Sequence, residues 1–270
     1  MIQPKEKGNS MKILAIASMV TALVAGAAQA EQLRIGTSAD FPPWGFTDAA
    51  GEIVGFDRDV ADEICKRIGA ECSWTNQAFD GLLPSLQVGK FDIVISGLSV
   101  TEERAKQIDF TNPYADAPYH FAGPKDSAAK DAKTREELEK ALEGKSIGVQ
   151  TGSTHEQVVK KHLPSADVRL YERNEQIADD LVSGRLDAGL LEQSVWEDLM
   201  KSREEQIELI GPMLTSADYS EFGNGQALAL KKGRDDLKAR INKAIGDMLS
   251  DGTMSKISNK YFGYDLSFKG

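Results

Sequence analysis

After an apolar stretch from Ile13 to Gly26, polar and apolar positions alternate from Gln32 to Thr37, which predicts a half-buried strand. Phe41-Pro42-Pro43-Trp44 is an aromatic, proline-rich loop after it, and Ile53-Val54 a second, short strand. Val60, Ile64 and Ile68 then recur at helical spacing, with Asp57 as the expected cap and Gly69 as the stop. Ser73–Thr75 is read as the next strand. Leu82, Leu83 and Leu86 mark a helix that Asp80 is expected to cap, with Pro84 tolerated in its first turn. Gly89 ends it. Phe91–Ile95 is an unbroken apolar run, as a buried strand requires. Thr101 is expected to cap a following helix with Glu102 and Glu103 in its first turn. This βαβαβ order predicts a mostly parallel sheet with helices on its faces.

A polar stretch from Asp126 to Gly144 precedes a second α/β pattern. Its strands are expected at Ile147–Gln150, Val168–Tyr171, Leu186–Leu191 and Ile207–Ile210, and its helices at His155–Leu163 and after an Asn174 cap. Gln226–Leu230 is read as a strand, followed by a helix carrying Leu237, Ile241, Ile245 and Leu249. Leu86–Asp92 and Leu181–Asp187 echo each other as helix end, glycine, basic residue and buried strand. That match is evidence of a shared local device more than of duplication.

The N-terminus changes the compartment. Met11-Lys12, the apolar stretch and the small-x-small pattern Ala28-Gln29-Ala30 form a secretory signal peptide, with cleavage expected after Ala30 and residues 1–10 as an upstream extension. A membrane anchor is the alternative; the stretch is short for one. Losing residues 1–30 removes three lysines and one glutamate, taking the net charge from −10 to −12. An acidic surface argues against nucleic acid and anionic membranes as partners. The two cysteines, Cys65 and Cys72, are expected to pair in an oxidising compartment and pin a helix–strand corner.

The candidate chemistry lies in Ser96–Arg104. A strand end, small residues, free backbone N–H groups and an arginine one turn into a helix suit a small carboxylate. The alternative is an ordinary βα turn whose arginine pairs with its own glutamates. Loops at 38–44 and 77–80 are expected at the same sheet edge, which favours a binding site. His120, His155 and His162 are isolated in sequence, so a surface or loop position is the default for each. No zinc spacing, nucleophile elbow or phosphate loop occurs, and no cofactor is implied.

Several motifs, in order, carry a family resemblance: Arg34–Thr37, Gly55-Phe56-Asp57, Phe79–Leu86, Ser96–Arg104, Asp109-Phe110-Thr111, Gly148–Thr154, Gly184–Ala188 and Asp251–Gly263. The chain resembles the periplasmic amino-acid binding proteins of ABC importers, solute-binding protein family 3. It is most similar to the lysine/arginine/ornithine and histidine binders, which also carry a cysteine pair. The resemblance implies a type II periplasmic binding protein fold, two α/β lobes joined by two crossing hinge strands. Lobe one would be 31–117 plus 219–270, and lobe two 118–218. Arg104 would clamp the ligand α-carboxylate with the N–H groups of Ser99 and Thr154. The Ser99 hydroxyl, the Gly97 carbonyl and Glu192 would hold the α-ammonium, and Phe41 and Phe79 would pack on the aliphatic stem or serve the core.

Departures from the family pattern bear on the ligand. Arg58 stands where the pattern is usually apolar. Glu192 stands where the acid is usually Asp. Ser38 stands where basic-amino-acid binders commonly place an acid, with Asp40 able to compensate only if the loop bends. Gln150 and His155 replace an apolar and an amide residue. These changes argue against lysine or arginine and for a neutral polar amino acid or a hydroxylated, opine-like derivative. The expected partner is an ABC permease, the expected state a monomer without enzymatic activity. A cyclohexadienyl-dehydratase-like enzyme using Glu192, or a soluble sensor acting through a receptor, are the alternatives.

Overall fold

The computed structural model describes residues 1–4 and 30–270; the body of the expected signal peptide lies outside the described residues. The first part of the chain runs β1 (Glu31–Thr37), β2 (Asp40–Phe41), β3 (Gly45–Thr47), β4 (Ile53–Val54), α1 (Phe56–Ile68), β5 (Ala70–Asn76), α2 (Leu82–Gln87), β6 (Ile93–Val94), α3 (Glu102–Ala105) and β7 (Asp109–Phe110). The second part runs β8 (Tyr119–Pro124), α4 (Arg135–Ala141), β9 (Ser146–Gln150), α5 (Thr154–His162), β10 (Asp167–Tyr171), α6 (Asn174–Val182), β11 (Ala188–Glu192), α7 (Gln193–Met200) and β12 (Ile207–Leu214). The chain closes with β13 (Ala229–Leu230), α8 (Asp235–Ser250) and α9 (Thr253–Phe262).

Among the described residues these strands form two five-stranded sheets, β5-β1-β6-β13-β7 and β10-β9-β11-β8-β12, and a small sheet β2-β3-β4. Each large sheet is parallel where βαβ units built it, as in β5/β1/β6 and β10/β9/β11. Each is antiparallel where a strand arrives from a crossing, as in β13 beside β6 and β8 beside β11. The expected mostly parallel sheets are therefore mixed, because a chain that crosses between lobes re-enters from the opposite end.

The two crossings lie between β7 and β8 and between β12 and β13. They are bonded to each other: Tyr114 N–H donates to the Gln226 carbonyl and Gln226 N–H to the Ala115 carbonyl, both at 2.8 Å. The tail joins through a bridge from Ser267 to Ala115. Gln226 is buried, and its side chain takes the Ala117 N–H and donates to the Tyr119 hydroxyl, at 3.2 Å each. The expected strand Gln226–Leu230 thus divides into a hinge residue and the short β13.

The core follows from the apolar periodicities. Val60 and Ile64 of α1 pack with Ile241 and Ile245 of α8 and with Leu33 and Ile35 of β1, all buried. Thr101 caps α3 as expected, accepting the Arg104 N–H at 3.3 Å. Three caps are placed differently. Gly55 precedes α1, so Asp57 sits inside the first turn with its carboxylate buried on other partners. Asp80 lies within a short 3₁₀ turn, Phe79–Gly81, and Gly81 precedes α2. Asn174 is the first residue of α6, after Arg173. A capping-type residue marks a helix start only to within a residue or so, and tertiary partners decide which side it falls. β8 had no expected counterpart: it is buried along Tyr119–Gly123, so it shows no alternation.

Cys65 and Cys72 form the expected disulfide, joining the last turn of α1 to β5 across a Cα–Cα distance of 6.3 Å. It closes a short loop, so replacing both cysteines by serine should lower unfolding free energy by about 2.5 kcal/mol in guanidinium titrations. The lowest midpoint shift consistent with that role is one clearly outside replicate error.

Candidate functional site

The carboxyl ends of β1, β6, β9 and β11 face one another across the two lobes, and a small, narrow cavity lies between them. Phe41, Phe79, Ser96, Gly97, Ser99 and Arg104 line it from one side, and Gln150, Ser153, Thr154, His155 and Glu192 from the other. Nine of the ten expected site residues meet here.

Arg104 is 6% exposed. It donates to the Ser99 carbonyl at 3.0 Å and, across the cleft, to the Gly152 carbonyl at 3.3 Å. Its guanidinium stands 5.7 Å from the Phe79 ring centroid. Glu102 and Glu103 are exposed, and among the described residues Arg104 forms no ion pair with either, so it is not held by its own glutamates. Burial pushes its pKa down to about 10, opposed by Tyr119, Glu103 and Glu192. Beside it the first-turn N–H of Thr154 in α5 has no intrahelical acceptor. This end of the cavity therefore carries a buried cation and a free backbone donor, groups that suit an anion.

The other end is acidic. Glu192, the last residue of β11, is 4% exposed, and its Oε2 has no hydrogen-bond partner. His155 Nε2 lies 3.4 Å from that oxygen, and neither ring nitrogen of His155 has a hydrogen-bond partner. Ser99 Oγ is 3.1 Å from the Tyr119 hydroxyl. Buried polar atoms without partners are costly, so the polar groups gathered here suit a ligand that brings donors and acceptors.

Ser38 does not enter the cavity. Its N–H donates to Ser96 Oγ at 3.1 Å and its hydroxyl to Asp40 at 2.6 Å. Ser38 and Asp40 line a neighbouring chamber with Gln77 and Arg173. Burial raises the Asp40 carboxyl, with Ser38 and Arg173 opposing. Gln150 faces the cavity and donates to the Glu172 carbonyl at 3.3 Å. His120 and His155 are both buried, contrary to their default surface placement; His120 Nε2 lies 3.1 Å from the Gly211 carbonyl. Ser153 was not expected in the site. It caps α5, accepting the Glu156 N–H at 3.2 Å. The Ser-x-x-Glu spacing of a capping box was its signal.

The profile of the bacterial extracellular solute-binding proteins, family 3, matches residues 33–264. The chain belongs to this family. The family 3 chain is 35% identical to the ABC transporter arginine-binding protein 1 of Escherichia coli K12 over 252 residues, 93% of this chain and 99% of that one. It is 35% identical to the lysine/arginine/ornithine-binding periplasmic protein of the same strain over 261 residues, 94% and 97% of the two. An ancestral arginine-binding protein solved with arginine superposes with a TM-score of 0.78 at 37% identity, covering 86% of this chain and 98% of the other. An ancestral arginine-binding protein solved with glutamine gives 0.77 at 37% identity, with the same coverages. This is the type II periplasmic binding protein fold, and family 3 members of this kind are amino-acid-binding proteins of ABC transporters.

Proposed function

We propose that this family 3 protein captures a neutral polar amino acid, or an opine-like derivative, in the cavity and delivers it to an ABC permease. One observation carries the reading. Among the described residues, a buried arginine with no carboxylate partner faces a buried glutamate with an unpartnered oxygen, which complements a zwitterion. The α-carboxylate takes Arg104 with the N–H groups of Ser99 and Thr154, and the α-ammonium takes Glu192, the Ser99 hydroxyl and the Gly97 carbonyl. Phe41 and Phe79 cover the stem.

The side-chain end favours a neutral group. Ser38 and Asp40 lie outside the cavity, so a buried guanidinium or ammonium there would lack an acid, at a cost of several kcal/mol. Gln150 and His155 offer donors and acceptors instead. Relatives named for arginine make the choice a sharp one. Mass spectrometry of the ligand released from purified protein, followed by calorimetry, tests it: a neutral polar amino acid or conjugate is expected, and sub-micromolar binding of lysine or arginine would sink the reading.

Lobe one, residues 31–117 and 219–270, and lobe two, residues 118–218, close on the ligand by bending at the crossings, and the closed shape is what the permease recognises. The protein works as a periplasmic monomer after cleavage behind Ala30.

A further inference from the structure

Beneath the cavity, in the first turn of α1, lies a carboxyl group that the binding scheme does not use. Asp57 is 1% exposed. Its Oδ2 accepts the Gly97 N–H at 2.7 Å and its Oδ1 the Tyr114 hydroxyl at 2.6 Å. Both partners matter. Gly97 lines the cavity, and among the described residues its carbonyl accepts from no protein donor. Gly97 is also held at φ 54°, where an added Cβ would come within 2.8 Å of the Phe41 ring. Tyr114 lies in the first crossing and bonds to Gln226 in the second. A single carboxyl group therefore joins the cavity floor to the hinge.

The charges around it are unbalanced. Among the described residues no cation pairs with Asp57. Tyr114 faces it from the first crossing, the Gly97 amide from the β6–α3 loop, and Glu192 acts on it from β11 as a like charge. Arg104 and His155 stand with Glu192 around the cavity above. An ammonium ion placed between the Gly97 carbonyl and Glu192 would supply the missing positive charge to both acids.

We propose that Asp57 is a positioning residue for the ammonium end of the ligand, fixing Gly97 against the hinge hydroxyl of Tyr114, and that it carries a proton in the empty cavity and releases it to solvent when an ammonium ion binds. The inference rests on the reading of the cavity as an amino-acid site. Burial pushes the Asp57 carboxyl up to about 7, with Glu192 acting in the same direction and Tyr114 and Gly97 opposing. The hydrogen bonds suit both states. An ionised carboxylate accepts from Gly97 and Tyr114, while a protonated one accepts from Gly97 and donates to the Tyr114 oxygen, since a phenol serves either way.

Calorimetry of the purified chain with L-glutamine and L-arginine in turn, neither of whose side chains titrates in this range, and with the ligand that co-purifies, tests this from about pH 5.5 to about pH 8.5, in buffers of different ionisation enthalpy. Proton release on binding near neutral pH is expected. Affinity should rise with pH, about tenfold for each unit by which the ammonium lowers the carboxyl pKa. Asp57→Asn keeps the shape, with its amide donating to Tyr114, and should show neither effect. Tyr114→Phe removes one donor to the carboxylate and should move the rise to higher pH, which a packing role would not do. Without ligand, a carboxyl raised by folding binds more protons folded than unfolded. Stability of the wild type should then fall, relative to Asp57→Asn, as pH rises from about 4 to about 7.

Proton release that persists in Asp57→Asn overturns the proposal. A flat wild-type profile overturns it too. If Asp57→Asn does not fold, the Tyr114→Phe profile decides, an unmoved rise being the negative result. Binding that survives Arg104→Ala would instead remove the amino-acid reading, so the two failures are distinct.

Discussion

Arg104→Ala is expected to weaken ligand binding by about a thousandfold or more while the protein still unfolds cooperatively. The reasoning starts from burial. A carboxylate drawn into this cavity loses water, and Arg104 is the cation that offsets the loss. Removing one partner of a desolvated, hydrogen-bonded charge pair costs roughly 2–5 kcal/mol, because the other charge is left unpaired. Two further losses are local: the Ser99 and Gly152 carbonyls each lose a donor. Those weaken the loop and the closed form without touching the sheet cores. Arg104→Lys should fall between, since a point charge cannot reproduce two parallel N–H···O bonds. Calorimetry for affinity and thermal unfolding for stability separate the effects. Binding within tenfold of wild type in Arg104→Ala would mean that the ligand's carboxylate sits elsewhere.

Glu192→Gln comes second, with an expected loss of about a hundredfold or more. The amide occupies the same space at the end of β11 but carries no charge. The ligand ammonium would then face dipoles alone, beside Arg104. The neutral variant should be at least as stable as wild type without ligand, because Glu192 is 4% exposed and an amide is less costly to bury than a carboxylate. Lower affinity with unchanged or higher melting temperature is the signature. A variant that loses both together would place Glu192 in the scaffold.

Much of this architecture could be read from local pattern. Val60 and Ile64 on one helical face, the alternating β1 and the stop at Gly69 each depend on a few adjacent residues, and each stands where expected. The Ser96–Arg104 stretch was legible for the same reason: strand end, small residues and cap are consecutive. The family resemblance then named Phe41, Phe79, Thr154 and Glu192, which no local rule would have gathered from four separate elements.

The remainder depends on partners far away in sequence. Asp57 looks like a cap because aspartate before an apolar helix usually is one. Its actual partners are 40 and 57 residues distant. Ser38 follows a strand that ends at the cleft, yet the loop turns its hydroxyl to Asp40, and no periodicity encodes that turn. His155 seemed isolated because Glu192 and Tyr119, its neighbours in space, lie on other strands. β8 was hidden by its own burial, since a strand covered on both faces has no polar phase to detect.

The Arg104 bond to the Gly152 carbonyl joins the two sides of the cleft through protein atoms alone. A guanidinium has five N–H donors, so a carboxylate can be gripped without breaking this bond. The same bond also stabilises the shut form when it is empty. For a permease that responds to the shut form, each shut, empty molecule is a competitive inhibitor of a loaded one. Strengthening that bond would thus slow uptake even where it left measured affinity unchanged.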